Sequence, residues 1–139
     1  METWVFTEAE CDRTAAHVLE IARDRKIFVF KGEMGSGKTT LIKSITRILG
    51  VQEPTSSPTF ALVNTYLAKD TELYHFDLFR LRSPDELADI GFSEYIYSGN
   101  RIFIEWPESI MPFLDQIPHV RIHLETAGPD RRQIGVSLH

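Results

Sequence analysis

The sequence has little of three things that mark common classes of protein. It holds a single cysteine, Cys11, so it forms no intrachain disulfide and no zinc site built from cysteines. Its apolar runs, such as Ile27–Phe30, are far too short to cross a bilayer. Cations are in the minority, with 15 Lys and Arg against 20 Asp and Glu and a net charge of -5. That balance argues against unaided binding of nucleic acid, whose phosphates attract clustered cations.

The remaining composition is that of an ordinary globular protein. Hydrophobic residues make up 42% and charged residues 25% of the 139 positions, which excludes a disordered, collagen-like or coiled-coil chain. The first residues include no basic stretch followed by an apolar one, so we expect no signal peptide. Without a repeat, a linker or a low-complexity tract, residues 1–139 are predicted to form a single cytoplasmic domain.

Helical and strand patterns alternate in the first part of the chain. Thr7 and Glu10 have the spacing of a capping box and predict a helix that begins at Thr7. Four consecutive apolar residues within Lys26–Lys31 predict a strand that is buried on both faces. Helical spacing returns over Lys38–Leu49, and Gly50 follows as its C′ residue.

The second part of the chain is richer in strand patterns. A short helix is predicted from the start signal Ser83–Glu86. The predicted strands are Phe60–Leu67, Glu72–Phe79, Arg101–Glu105, His119–Thr126 and Arg131–Leu138. Early βα units followed by hairpins predict an α/β protein whose mixed sheet has central parallel strands, antiparallel hairpins and flanking helices.

A glycine-rich loop joins the first predicted strand to the second helix. Residues 32–39 read Gly-Glu-Met-Gly-Ser-Gly-Lys-Thr and match G-x-x-x-x-G-K-[ST] completely. Glycines let successive backbone N–H groups point at one phosphate, and the helix N-terminus adds positive charge. The residues expected to hold phosphate are Glu33, Met34, Gly35, Ser36, Gly37, Lys38, Thr39 and Thr40. The motif in this context predicts a P-loop NTPase-like fold that binds a nucleotide, with Lys38 on the β- and γ-phosphates and Thr39 on Mg²⁺.

Two acidic residues lie in or at the end of apolar runs and are candidates to complete such a site. Glu105 ends Ile102-Phe103-Ile104, and Asp77 lies within 74–79, also apolar around one acid. A buried carboxylate without a partner is costly, so each is expected to have a partner or a function. We predict that Glu105 is the metal ligand and that Asp77 orients water or the metal's hydration shell. The alternative for each is a structural ion pair.

Four motifs in this order resemble the TsaE family, the bacterial ATPases needed to make threonylcarbamoyladenosine in tRNA. They are the P-loop Gly32–Thr40, Ser57–Phe60, His75–Arg80 and Glu105–Pro107. The resemblance covers nearly the whole chain. It implies that the protein binds ATP with Mg²⁺ and hydrolyses it slowly, stimulated by the partners TsaB and TsaD. TsaD carries the transfer chemistry in that family, so tRNA would be met only through the complex.

The resemblance also implies roles for individual residues. Thr59 is similar to a switch threonine that senses the γ-phosphate, and Trp106 to an essential aromatic residue beside the nucleotide. Lys38, Asp77 and Glu105 would be the catalytic residues. The family commonly has Tyr at position 79 and Leu-Gly-Ala at 34–36, where this chain has Phe and Met-Gly-Ser.

Other functions remain open on the sequence. A small P-loop kinase that phosphorylates a small-molecule acceptor would use the same loop, although the chain leaves little room for an acceptor subdomain. A GTPase is disfavoured, because no Asn-Lys-x-Asp stretch follows Glu105, and a module that binds nucleotide without turnover is a third alternative.

Five further residues have ambiguous patterns. His75 could pack beside Asp77 without a catalytic role. His119 and His123 lie roughly 13 Å apart at about 3.3 Å per residue, too far to share a metal, and are expected to be solvated. Arg131 and Arg132 are expected to be surface charges, the alternative being that they face a partner or the nucleotide.

Overall fold

A computed structural model describes residues 1–58 and 62–139. Its strands form one seven-stranded mixed sheet in the order β1-β7-β6-β2-β5-β4-β3. The strands are β1 (Glu2–Thr7), β2 (Ile27–Lys31), β3 (Val63–Ala68), β4 (Thr71–Asp77), β5 (Ile102–Glu105), β6 (Val120–Gly128) and β7 (Arg131–Leu138). β2, β4, β5 and β6 run parallel where they are neighbours, while β3, β7 and β1 pair antiparallel. The predicted fold class is therefore confirmed.

Helices cover both faces of this sheet. They are α1 (Cys11–Ala22), α2 (Lys38–Ile48), α3 (Asp85–Asp89), α4 (Phe92–Ile96) and α5 (Met111–Leu114), with 3-10 turns at Glu8–Glu10 and Glu108–Ile110. Buried residues of α1 and α2 belong to one core cluster, and those of α3, α4 and α5 belong to the other. No helix among the described residues is long and apolar enough to cross a membrane.

The central strand β2 shows why the sheet has helices on both sides. Successive side chains of a strand point to opposite faces. Phe28 and Phe30 accordingly enter the core beneath α1 and α2, whereas Ile27 and Val29 enter the core beneath the three short helices. All four are 4% exposed or less, which confirms the predicted strand buried on both faces.

The parallel strands bring the candidate site residues to one edge of the sheet. In the register, Phe30 of β2 lies opposite Glu105 of β5, and Glu105 lies opposite Asp77 of β4. The glycine-rich loop leaves β2 at this same edge, just after Lys31. Carboxyl ends of parallel strands are where open α/β sheets place ligands, so strand order alone gathers the loop and both acids.

Several predicted elements differ in detail. Strand β1 was not predicted; it pairs antiparallel with β7 and adds an edge to the sheet. The predicted helix begins as the 3-10 turn, where the Glu10 carboxylate accepts a hydrogen bond from the Thr7 N–H at 3.0 Å, and becomes α-helical at Cys11. The short helices α4 and α5 were also not predicted.

The prediction that His119 is solvated is wrong. Its side chain is buried, stacks on His139 at 5.5 Å between ring centroids, and lies 2.7 Å from the Ile117 carbonyl oxygen through Nδ1. The sequence does not indicate this burial, because the stacking partner, His139, belongs to a distant part of the chain. His123 is exposed, as predicted.

Candidate nucleotide-binding site

The glycine-rich loop owes its path to positions where only glycine fits. Gly35 and Gly37 have φ values of +82° and +99°, which L side chains rarely adopt. A Cβ on Gly32 would lie 2.6 Å from both the Leu124 carbonyl oxygen and the Ser36 hydroxyl oxygen. The loop therefore passes close to the backbone of β6 and leads into α2, whose first residue is Lys38.

The Lys38 ammonium is buried at the mouth of this loop. It donates hydrogen bonds to the Gly32 carbonyl and, at 3.4 Å, to the Glu33 carbonyl, and it lies 3.7 Å from the centroid of the Trp106 ring. Burial lowers the pKa of Lys38, although the carboxylate of Glu105 opposes this shift. Among the described residues, the contacts of the ammonium are thus carbonyl oxygens and a π face, and an anion would pair with it better.

The Glu105 carboxylate accepts hydrogen bonds from three side chains. Its Oε1 accepts from the Thr39 hydroxyl at 2.9 Å, and its Oε2 accepts from the Ser57 hydroxyl at 2.9 Å and from Nε2 of His75 at 2.7 Å. Glu105 is only 2% exposed. Burial alone would raise the pKa of Glu105, but the hydrogen bonds from His75, Ser57 and Thr39 outweigh burial and hold it below its ordinary value. Glu105 is therefore an ionised carboxylate in contact with the first turn of α2.

Asp77 stands beside Glu105 at the end of β4. Its Oδ1 accepts a hydrogen bond from the Phe79 N–H at 3.0 Å, which fixes the carboxylate at the point where the strand ends. Burial raises the pKa of Asp77, and the Phe79 N–H only partly offsets the effect. A carboxylate with a raised pKa accepts a proton more readily, which suits a group that orients water.

Trp106 occupies an unusual backbone conformation directly after Glu105. Its φ is +57°, a value that costs a bulky residue energy and needs support from its surroundings. The ring supplies that support, since it contacts the Lys38 ammonium and lies 4.9 Å from the Phe79 ring. The indole is thereby held next to the lysine of the loop.

A cleft of about 640 Å³ extends from these groups toward β1 and β7, at the other end of the strand order. It runs from Asp77 and Glu105 along the loop to β1 and the β6–β7 turn. Its lining there comprises Phe6, Glu8, Cys11, Pro129, Asp130 and Arg132. The Arg132 guanidinium packs on Gly37 and lies 3.5 Å from the Gly35 carbonyl oxygen. Clefts of this size hold small-molecule ligands.

Most residues predicted for the site line this one cleft. They are the loop residues Glu33 to Thr40, with Asp77, Glu105 and Trp106. The prediction for Thr59 lies outside the described residues. Of the two arginines considered, Arg132 faces the loop rather than solvent alone.

Sequence reasoning missed the contribution of Ser57 and left His75 ambiguous. The signal for His75 was present, because a histidine inside the apolar strand β4 needs a hydrogen-bond partner. Ser57 lies in one of the four motifs that resemble the family, but no role was predicted for it, since a serine in a polar, proline-containing segment is usually solvated.

The donor atoms around Glu105 suit Mg²⁺. The carboxylate and the hydroxyls of Thr39 and Ser57 provide oxygen ligands, and the two hydroxyl oxygens lie 3.0 Å apart. Within residues 1–58 and 62–139 no three His, Cys, Asp or Glu side chains cluster into a metal cage. Mg²⁺ is usually bound by one or two carboxylates together with substrate phosphates, so the residues present fit this ion and not a dedicated multi-ligand site.

The mixed sheet, the strand–loop–helix unit and the acid at the neighbouring strand end define the fold class as that of the P-loop NTPases. The sequence model of the family described as "Threonylcarbamoyl adenosine biosynthesis protein TsaE" matches residues 5–134. The chain belongs to this TsaE family.

Curated relatives support the same assignment. Proteins named "tRNA threonylcarbamoyladenosine biosynthesis protein TsaE" are 35% identical in Rickettsia conorii over 91% of this chain and 71% of the relative, and 32% identical in Bacillus subtilis over 92% and 77%. The solved structure described as "Crystal structure of Bacillus subtilus YdiB" is similar with a TM-score of 0.75 and 25% identity. That similarity covers 99% of this chain and 84% of the solved one.

Proposed function

We propose that this protein binds ATP with Mg²⁺ in the cleft and hydrolyses it slowly, as an accessory ATPase for threonylcarbamoyl modification of adenosine in tRNA. The observation that carries the proposal is the 2.9 Å hydrogen bond between Thr39 and Glu105. It joins the P-loop hydroxyl to the acid of the adjacent parallel strand, the two groups that hold Mg²⁺ in P-loop NTPases. Membership in the TsaE family supports the pathway.

The P-loop lysine supplies the main charge contact with phosphate. Lys38 already has its ammonium at the mouth of the loop, where it donates to backbone carbonyls. A phosphate oxygen is a stronger acceptor than a carbonyl, so the ammonium would turn to the nucleotide when one binds. Arg132, packed on Gly37, would face the same nucleotide from the β6–β7 side.

Thr39 and Glu105 would hold Mg²⁺, which neutralises charge on the β- and γ-phosphates when bound. Asp77 would accept a hydrogen bond from the attacking water, because its pKa is raised by burial and its carboxylate is fixed by the Phe79 N–H. Trp106, held between Lys38 and Phe79, would shield the phosphates from bulk water.

Partners complete the proposed activity. The net charge of -5 gives little attraction to RNA, so the protein would meet tRNA only within a complex with TsaB and TsaD. In that complex this chain would supply ATP turnover, and TsaD would carry the transfer chemistry.

The test is ATP hydrolysis by this chain alone and with TsaB and TsaD. We expect slow release of phosphate alone, a faster rate with both partners, and loss of both rates in Lys38→Ala. Lys43→Ala, an exposed lysine on the same helix, is the matched control and should behave as wild type. Labelled γ-phosphate found on an acceptor molecule instead of in free phosphate would favour the kinase alternative, and absence of turnover with both partners would contradict the proposal.

A further inference from the structure

His75 is a buried histidine that the proposed chemistry does not use. It lies in β4, two residues before Asp77, and its side chain is 1% exposed. Nε2 of the ring lies 2.7 Å from Oε2 of Glu105. Such a histidine could have a purely structural role as the partner of a buried acid. The contacts of its ring therefore decide between a structural and a functional role.

The proton position on this ring follows from the hydrogen bonds. Oε2 of Glu105 also accepts from the Ser57 hydroxyl, so it is an acceptor, and Nε2 of His75 must donate. In the described part of the chain, Nδ1 of His75 has no hydrogen-bond partner. The 2.7 Å contact with the carboxylate therefore requires a proton on Nε2.

The three donors to Glu105 are not equivalent. The hydroxyls of Thr39 and Ser57 rotate and can present a lone pair to a cation. The Nε2–H of His75, by contrast, can only donate a hydrogen bond. Its position in the sheet is fixed by the pairing of β4 with β5. Solvent cannot replace this donor, because both side chains are 3% exposed or less.

We propose that His75 is a positioning residue for Glu105: its Nε2–H fixes one carboxylate oxygen and so orients the other lone pairs toward Mg²⁺. The inference rests on the proposed function, since it concerns the same ion. Carboxylates that bind metals are held by hydrogen bonds behind them, and loss of such a partner typically lowers metal affinity about 10- to 100-fold.

The test measures ADP affinity with and without Mg²⁺ by calorimetry, and takes the ratio as the gain due to the metal. His75→Leu should reduce that gain about tenfold while ADP affinity in EDTA stays unchanged. His75→Gln, whose amide N–H reaches a position similar to Nε2–H, should restore most of the gain. His119→Leu removes another buried histidine, away from the cleft, and should leave the gain intact.

A double variant distinguishes positioning from mere stability. If His75 acts through the Glu105 carboxylate, His75→Leu should have no further effect on the gain in a Glu105→Gln background. An undiminished gain in His75→Leu, or equal losses in the Leu and Gln variants, would overturn the inference. A wild-type protein that shows no gain from Mg²⁺ would instead contradict the proposed function.

The wild type provides a readout that needs no variant to fold. Nitrogen NMR of the imidazole, without nucleotide, should show a proton on Nε2 that is protected from exchange. A ring protonated on Nδ1 alone would refute the hydrogen bond on which the positioning role depends.

Discussion

Removal of the Lys38 side chain should separate stability from nucleotide binding. The Lys38 ammonium donates to two carbonyls and contacts Trp106, but burial lowers its pKa. A lowered pKa means that the folded environment favours the charged form less than water does. The contacts therefore do not outweigh the desolvation of the cation. Loss of the buried side-chain stem adds a small cost, so Lys38→Ala should lower the free energy of unfolding by about 1 kcal/mol or less.

The effect on ATP should be much larger. A buried lysine paired with phosphate is a charge-assisted contact, and truncation of one partner in such a pair costs about 2 to 4 kcal/mol. At about 1.4 kcal/mol per factor of ten, affinity for ATP should fall between about 30-fold and about 1,000-fold. The substitution leaves the loop glycines and the Thr39–Glu105 contact in place, so the loss belongs to the ammonium.

Two measurements check this reasoning. Urea denaturation without nucleotide gives the stability change, and titration with a fluorescent ATP analogue gives the affinity, with Lys43→Ala as the control for loss of a lysine. A folded Lys38→Ala variant that binds ATP nearly as well as wild type would refute the assignment of the loop. A large loss of stability without nucleotide would show instead that the lysine is a structural residue.

The remaining predictions concern the acids, the core and Thr59. Glu105→Gln should weaken nucleotide binding with Mg²⁺ more than in EDTA, and equal losses would indicate a structural role. The pKa of Glu105 is held below its ordinary 4.5, so the ionised carboxylate stabilises the fold fully above pH 4.5 and loses this effect as the pH falls further. Glu105→Gln should therefore make the free energy of unfolding, measured in urea, less dependent on pH below 4.5. Asp77→Asn should depress single-turnover hydrolysis more than ATP affinity, and the reverse pattern would make Asp77 a second metal ligand. Phe103→Ala, in the fully buried centre of β5, should lower the free energy of unfolding by about 3 to 5 kcal/mol in chemical denaturation. Thr59→Ala should abolish any preference of the TsaB–TsaD pair for the ATP-bound over the ADP-bound protein, measured by titration, and a preference retained in full would exclude a switch role.

Local patterns were sufficient for the parts of the fold that short segments specify. The four apolar residues of β2, the glycines of the loop and the helical spacing of α2 each encode a backbone conformation within a few residues. Strand β1 was not predicted, because its conformation depends on a distant strand and not on its own residues. Its residues alternate only partly, and it becomes a strand because β7 offers it an edge.

The amino-acid sequence by itself determined the glycine-rich motif of residues 32–39 and pointed to Glu105 and Asp77 as candidate acids, because those features lie in consecutive residues. The tertiary structure decided which groups meet. The order β2-β5-β4 sets Glu105 against Thr39 and His75, and the β6–β7 turn brings Arg132 to the loop. These contacts join residues up to 97 positions apart, and no local pattern encodes them. The contacts of Glu105 form because a buried carboxylate without partners is costly and the packed sheet brings Thr39, Ser57 and His75 within reach.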